Sequence, residues 1–146
     1  METKRKYSGM YRRTPSGMSF PGFSYLLSPD QERFIKHMRE FEHMRSYGWN
    51  VNFTRGEYMR RMGLREYTFD RCARSLCDLG LIQRTEDSNR NRVHYRLVEP
   101  VFDKLVRIVS MTRNSDKLID FFNFYCRKLG KSIPELTDEE ISSLRR

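Results

Sequence analysis

The stretch Tyr58-Met59-Arg60-Arg61-Met62-Gly63-Leu64-Arg65-Glu66-Tyr67-Thr68-Phe69-Asp70-Arg71-Cys72-Ala73-Arg74-Ser75-Leu76-Cys77-Asp78-Leu79-Gly80-Leu81-Ile82 decides the fold. Gly63 interrupts one helical pattern, Leu64 offers an apolar anchor, and a second pattern begins near Glu66. Within it Phe69, Cys72, Ala73, Leu76 and Leu79 fall on one face, because residues three and four apart stack on a helix. Gly80 then stops the helix, since glycine adopts the left-handed conformation past a helix end without steric cost. The reading is helix, tight turn, helix, with the second helix at about Glu66 to Leu79.

Toward the C-terminus, Ile82 to Glu86 and Val93 to Leu97 read as two strands joined by Asp87-Ser88-Asn89-Arg90-Asn91-Arg92. Ile82, Val93, Tyr95 and Leu97 are expected on the inner face of this hairpin. Toward the N-terminus, Thr54 and Glu57 form a capping-box signature for a helix from about Arg55 to Met62. Before it, Trp49-Asn50-Val51-Asn52-Phe53 alternates apolar with polar, which predicts a short strand with one buried face. Ser28, Pro29 and Gln31 open a first helix running to about Ser46, with Phe34, Ile35, Met38 and Phe41 as its core face and Gly48 as its stop.

Past the hairpin, Pro100 opens a helix bearing Val101, Phe102, Leu105, Ile108 and Val109. Another runs from a cap near Asn114 or Ser115 to about Leu129, and Thr137 with Glu140 caps a last short one. The fold class is therefore mainly α with a small β-sheet. Residues 1–27 read as a basic flexible arm, either free to neutralise phosphates or with some of its aromatics docked on the body, 28–99 as the central domain, and 100–146 as a set of C-terminal helices. The helix from Ser115 carries Leu118, Ile119, Phe121, Phe122, Phe124 and Tyr125, an apolar surface wider than one stripe. Either it packs across the first helix of its own chain or it forms a homodimer interface.

The 146 residues, 38% of them hydrophobic, suffice for one core. A net charge of +9 favours a polyanionic partner, and 21 of the 28 basic residues are Arg. A guanidinium forks onto phosphate or a guanine edge where an ammonium is a point charge, so the bias favours nucleic acid over a membrane surface. No apolar run approaches the roughly 20 residues that span a bilayer, and no apolar segment follows Met1-Glu2-Thr3-Lys4-Arg5-Lys6. A cytoplasmic protein is expected, nucleoid-associated when bound to DNA. Cys72, Cys77 and Cys126 lack disulfide or zinc spacing, and His37, His43 and His94 are not placed to complete a site, so neither metal nor cofactor is expected.

The quoted stretch, with its Gly63-Leu64 turn, polar helix start and Leu79-Gly80-Leu81-Ile82 exit into a charged hairpin, resembles the winged helix-turn-helix DNA-binding superfamily. The resemblance covers about Ser28 to Leu97 and departs at Arg65, where members commonly carry a small capping residue. It implies double-stranded DNA as partner, a recognition helix in the major groove and a basic wing on the neighbouring backbone. The positions facing DNA are then Arg65, Tyr67, Thr68, Arg71, Arg74 and Ser75 on the helix, and Arg84, Asn89, Arg90, Asn91 and Arg92 on the wing. Arg71 and Arg74 read guanine or clamp phosphate, unless Glu66, Asp70 or Asp78 holds them on a solvated face.

From Arg55 to Arg96 ten Arg stand against six acids, a surplus of four. The acids carry no catalytic reading: Glu57 is a capping partner, and Asp138-Glu139-Glu140 complement a helix dipole. No nucleophile elbow or phosphate-cradling glycine loop accompanies them, so no enzyme is expected. A transcriptional regulator is the first functional expectation. The run Arg45-Ser46-Tyr47-Gly48-Trp49-Asn50 is similar to a link in DNA-binding domains of phage and plasmid replication initiators, which is the second. The third is a winged helix serving as an adaptor between proteins.

Overall fold

Ser28 accepts a hydrogen bond from the Gln31 N–H at 3.2 Å while the Gln31 side chain accepts one from the Ser28 N–H at 2.7 Å, and this box starts the long helix α1, Pro29–Ser46. The same device at Thr54 and Glu57 starts α2, Arg55–Met62. A tight turn through Gly63, whose φ is +68°, leads into α3, Glu66–Asp78. The antiparallel strands β1, Ile82–Asp87, and β2, Arg92–Leu97, follow, then α4, Glu99–Val109, and α5, Ser115–Phe122. The helical path continues as a π-type segment, Asn123–Lys128, and ends in a 3-10 turn, Ile133–Glu135, the short α6, Asp138–Ser142, and a last 3-10 turn, Ser143–Arg145. The computed structural model describes residues 21–87 and 92–146.

The chain is thus mainly helical with a two-stranded sheet, as the sequence leads one to expect. Its centre is a set of crossed aromatic rings. Phe34 of α1 lies 5.2 Å from Phe69 of α3 and 6.2 Å from Tyr95 of β2, and Tyr95 lies 5.4 Å from Tyr58 of α2. All four are buried, so one ring from each element fixes the three helices and the hairpin against one another. Each fully buried ring contributes about 1.5–3 kcal/mol, with a further increment for edge-to-face geometry. Ile82, Tyr95 and Leu97 line the inner face as expected, and Val93, nearer the tip, is half-buried.

Two segments differ from expectation. Residues 49–53 form no strand, although Val51 and Phe53 are buried. The alternation reports burial, not pairing: Phe53 packs 5.1 Å from Phe41, while the Val51 carbonyl accepts from Arg45 at 2.9 Å. The outer edge of β2 meets side chains instead, since Glu42 accepts from the Leu97 N–H at 3.2 Å and the Tyr58 hydroxyl donates to the Tyr95 carbonyl at 3.5 Å. The second difference is the border of the arm. Residues 21–27, assigned to the arm from their composition, pack on the body through Phe23, Leu26 and Leu27, and Arg127 donates to the Leu26 carbonyl at 2.8 Å. The reading of 1–20 as flexible lies outside the described residues.

Gly80 shapes the joint between α3 and the hairpin. Its N–H donates to the Cys77 carbonyl and that of Leu81 to Leu76, both at 3.0 Å, closing α3 with a glycine at φ +84°. The following 3-10 turn presses on this joint: a Cβ added at Gly80 would lie 2.7 Å from Cδ of Pro134. The Ile133 N–H donates to the Leu79 carbonyl at 2.8 Å, and Lys104 of α4 donates to the Leu136 carbonyl at 2.6 Å. The C-terminal segment therefore braces the end of α3. The apolar helix α5 packs within its own chain, against the Pro21–Tyr25 turn and the terminal turn, burying Leu118, Phe121 and Phe122. Ile119, Phe124 and Leu129 remain exposed.

Candidate nucleic-acid interface

The inward positions of α3 are Phe69, Cys72, Ala73 and Leu76, all buried, which turns Arg65, Tyr67, Arg71 and Arg74 outward. Arg65 occupies the cap position in an extended conformation, and no side chain caps the helix there. Tyr67 is 72% exposed, and the Arg71 guanidinium lies 5.5 Å from its ring centroid. A cation over an aromatic face at an exposed site gains about 0.5–1 kcal/mol, enough to bias the Arg71 rotamer toward its i−4 neighbour. Thr68 is half-buried, and with Arg71 it lines a depression of about 360 Å³ against Ser28, Asp30 and Gln31 of the first helix start.

Two of the three acids of α3, Glu66 and Asp70, are held by another helix. Asp70 and Arg74 stand at i and i+4, a spacing that favours an ion pair on an isolated helix. In the folded chain Arg55 of α2 grips Asp70 instead, with Nη2 2.6 Å from Oδ2 and Nε 3.2 Å from Oδ1. The same Nη2 lies 3.2 Å from Glu66. Hydrogen bonding to Asp70, with a smaller contribution from Glu66, pushes the Arg55 guanidinium further above its ordinary value. Among the described residues neither Arg71 nor Arg74 makes an ion pair with an acid.

On the other flank of α3 a cleft of about 770 Å³ separates the helix from the hairpin, and Arg55, Arg74 and Arg84 all line it. Arg84 is bonded to the Tyr95 hydroxyl and to Glu86, 2.9 Å away, and these bonds raise its pKa. Burial raises that of Tyr95, so the phenol keeps its proton. Three guanidinium groups therefore border one open groove beside the helix. The carboxylates of Asp70 and Asp78 line the same groove, and Arg55 and Arg84 are already paired with acids.

The candidate residues divide three ways. Arg65, Tyr67, Thr68, Arg71 and Arg74 share the outer side of α3, and Arg84 joins them across the cleft. Ser75 ties α3 to α1, its hydroxyl accepting from Gln31 at 2.7 Å and donating to the Cys72 carbonyl at 3.1 Å, and it lines the same depression as Thr68 and Arg71. Asn89, Arg90 and Asn91 lie outside the described residues, and of Arg92 only the backbone is described, opposite Asp87. Arg55 was missed by the sequence. Its single signal is its place directly after the Thr54 cap, at the start of the helix that leads into the turn.

Burial, with a minor contribution from Asp30, pushes the Cys72 thiol up to about 11, and burial does the same for Cys126. Both keep their protons at neutral pH. Among the described residues no three His, Cys, Asp or Glu side chains gather to hold a metal ion, and no helix is long and apolar enough to cross a membrane. Comparison with protein-family models, with curated proteins and with solved structures finds no match to this chain.

Proposed function

We propose that the chain is a winged helix-turn-helix protein that binds double-stranded DNA and regulates transcription, with α3 as the recognition helix and the β1–β2 hairpin as the wing. One observation carries the reading: Arg71 and Arg74 project from the outer side of α3 without acid partners, Arg71 lying against the Tyr67 ring while Arg55 holds Asp70, the i−4 neighbour of Arg74. A helix enters the major groove and offers its first turns to base edges, where Arg forks onto guanine O6 and N7. Tyr67 and Thr68 supply apolar contact with a thymine methyl or a bond to the backbone. Arg74 and Arg84 line the groove beside the helix and fit the adjacent phosphates.

The test is a selection from a random duplex library at two salt concentrations. Enrichment of one motif, with affinity falling steeply as salt rises, is the expected result. A motif that maps to promoters supports regulation of transcription, and one repeated in tandem at a replication origin moves the role to initiation. No retention at either salt overturns the DNA reading.

A further inference from the structure

We infer that Arg55 is a positioning residue for the duplex-reading face: by holding Asp70 and Glu66 it keeps Asp70 from pairing with Arg74 and offsets the charge of two carboxylates beside the helix. The inference rests on the DNA-binding reading given above. On α3 alone the favoured partner of Asp70 is Arg74, with the acid on the N-terminal side at i, i+4. The tertiary fold overrides that choice. The Thr54 cap sets Arg55 as the first residue of α2, and the guanidinium reaches across to α3, 5.9 Å from the Phe69 ring, where it meets Asp70 with two nitrogens and Glu66 with one.

A bidentate fork outcompetes a single flexible helical pair, because less rotamer freedom is lost per bond formed. Without Arg55, Asp70 is free to take Arg74, and Glu66 loses its counter-charge in the first turn of the helix offered to DNA. A carboxylate beside a phosphate repels it and lowers affinity uniformly, whatever the sequence of the duplex. Arg55 thus acts on DNA through Arg74 and through the acids whose charge it offsets, and is itself turned toward α3.

The test measures binding of a fluorescent random-sequence duplex at low salt by R55Q, by R55K and by the triple variant R55Q/E66Q/D70N, each first checked for a cooperative thermal melt. R55Q is expected to bind about tenfold more weakly, and R55K, which keeps the charge and loses the fork, to fall between R55Q and the parent. The triple variant, with its acids neutralised, is expected within about twofold of the parent. A triple variant as weak as R55Q overturns the inference, since Arg55 would then touch phosphate itself, and so does an R55Q protein that binds like the parent. Nitrogen NMR of the arginine side chains gives a readout without DNA: in R55Q the Arg74 guanidinium gains a carboxylate partner and its Nε–H exchanges more slowly. An unchanged Arg74 signal overturns this inference alone, whereas a parent protein that retains no duplex overturns the DNA reading.

Discussion

Replacing Gly80 with Ala separates two costs that a glycine can hide. The first is backbone: at φ +84° an L side chain sits in the left-handed region, at about 1–2 kcal/mol. The second is collision, since the new Cβ would stand 2.7 Å from Cδ and 2.9 Å from Cγ of Pro134. Pro134 cannot retreat freely, because Ile133 before it is fully buried and bonded to the Leu79 carbonyl at 2.8 Å, and Leu136 beyond it is buried too. Overpacking of this kind costs about 1–3 kcal/mol, which gives a total of about 2–5 kcal/mol for G80A. Gly48 is the control, with φ +85° and nothing within 4 Å of an added Cβ, so G48A carries the backbone cost alone. Urea melts followed by far-UV circular dichroism measure both, and P134A in the G80A background should recover the collision cost, a coupling of about 1–3 kcal/mol. G80A melting with G48A, or P134A giving no relief, would refute the account of how the C-terminal turn braces α3.

Four further outcomes follow from the site and its supports. R71A and R74A should each lower duplex affinity and reduce the slope of log affinity against log salt by about one, measured by anisotropy titration, if each contacts one phosphate. S75A should cost about 0.5–1.5 kcal/mol in a urea melt through loss of the Gln31 bond while leaving the salt slope unchanged. T54A, which removes the cap of α2, should cost about 1 kcal/mol in the same melt. Burial raises the Glu42 pKa, but bonds from Arg96 and the Leu97 N–H and the charges of Arg45 and Arg96 outweigh it and hold the carboxyl below its ordinary value. Its contribution is therefore complete above about pH 4.5, the unfolded value, and is lost as pH falls through the lower folded value, so melts of E42Q and parent should converge in acid.

Sequence made most helix starts legible because capping is local: Ser28 with Gln31, Thr54 with Glu57 and Thr137 with Glu140 each place acceptor and donor three residues apart. The Gly63 turn and the Gly80 stop were readable for the same reason. What depended on distant partners was not. Residues 49–53 alternate as a strand does, yet pairing needs a neighbouring backbone, and the β2 edge is met by side chains. Phe23 shows no periodicity around it, and its burial depends on Phe102, 5.6 Å away in space and far along the chain. The outward face of α3 followed from its apolar spacing, but the bond from Gln31 to Ser75, 44 residues apart, did not. Arg55 stayed hidden because its partners sit 11 and 15 residues further on, across a turn whose geometry the sequence alone does not fix.

The side chains along the outer edge of β2 bear on how copies of this protein behave at high concentration. An edge strand offers unpaired N–H and C=O groups as a template for a strand from another molecule, the usual route to edge-to-edge aggregation. Here an incoming strand would have to displace the Glu42 carboxylate from the Leu97 N–H and break its bonds to Arg96, at 2.7 and 2.9 Å, leaving a charge in a site only 11% exposed. The Tyr58 hydroxyl guards the next carbonyl in the same way. The β2 edge is thus shielded from self-templating by polar groups of its own helices, and a variant without Glu42 should turn cloudy on concentration before it loses its helical signal.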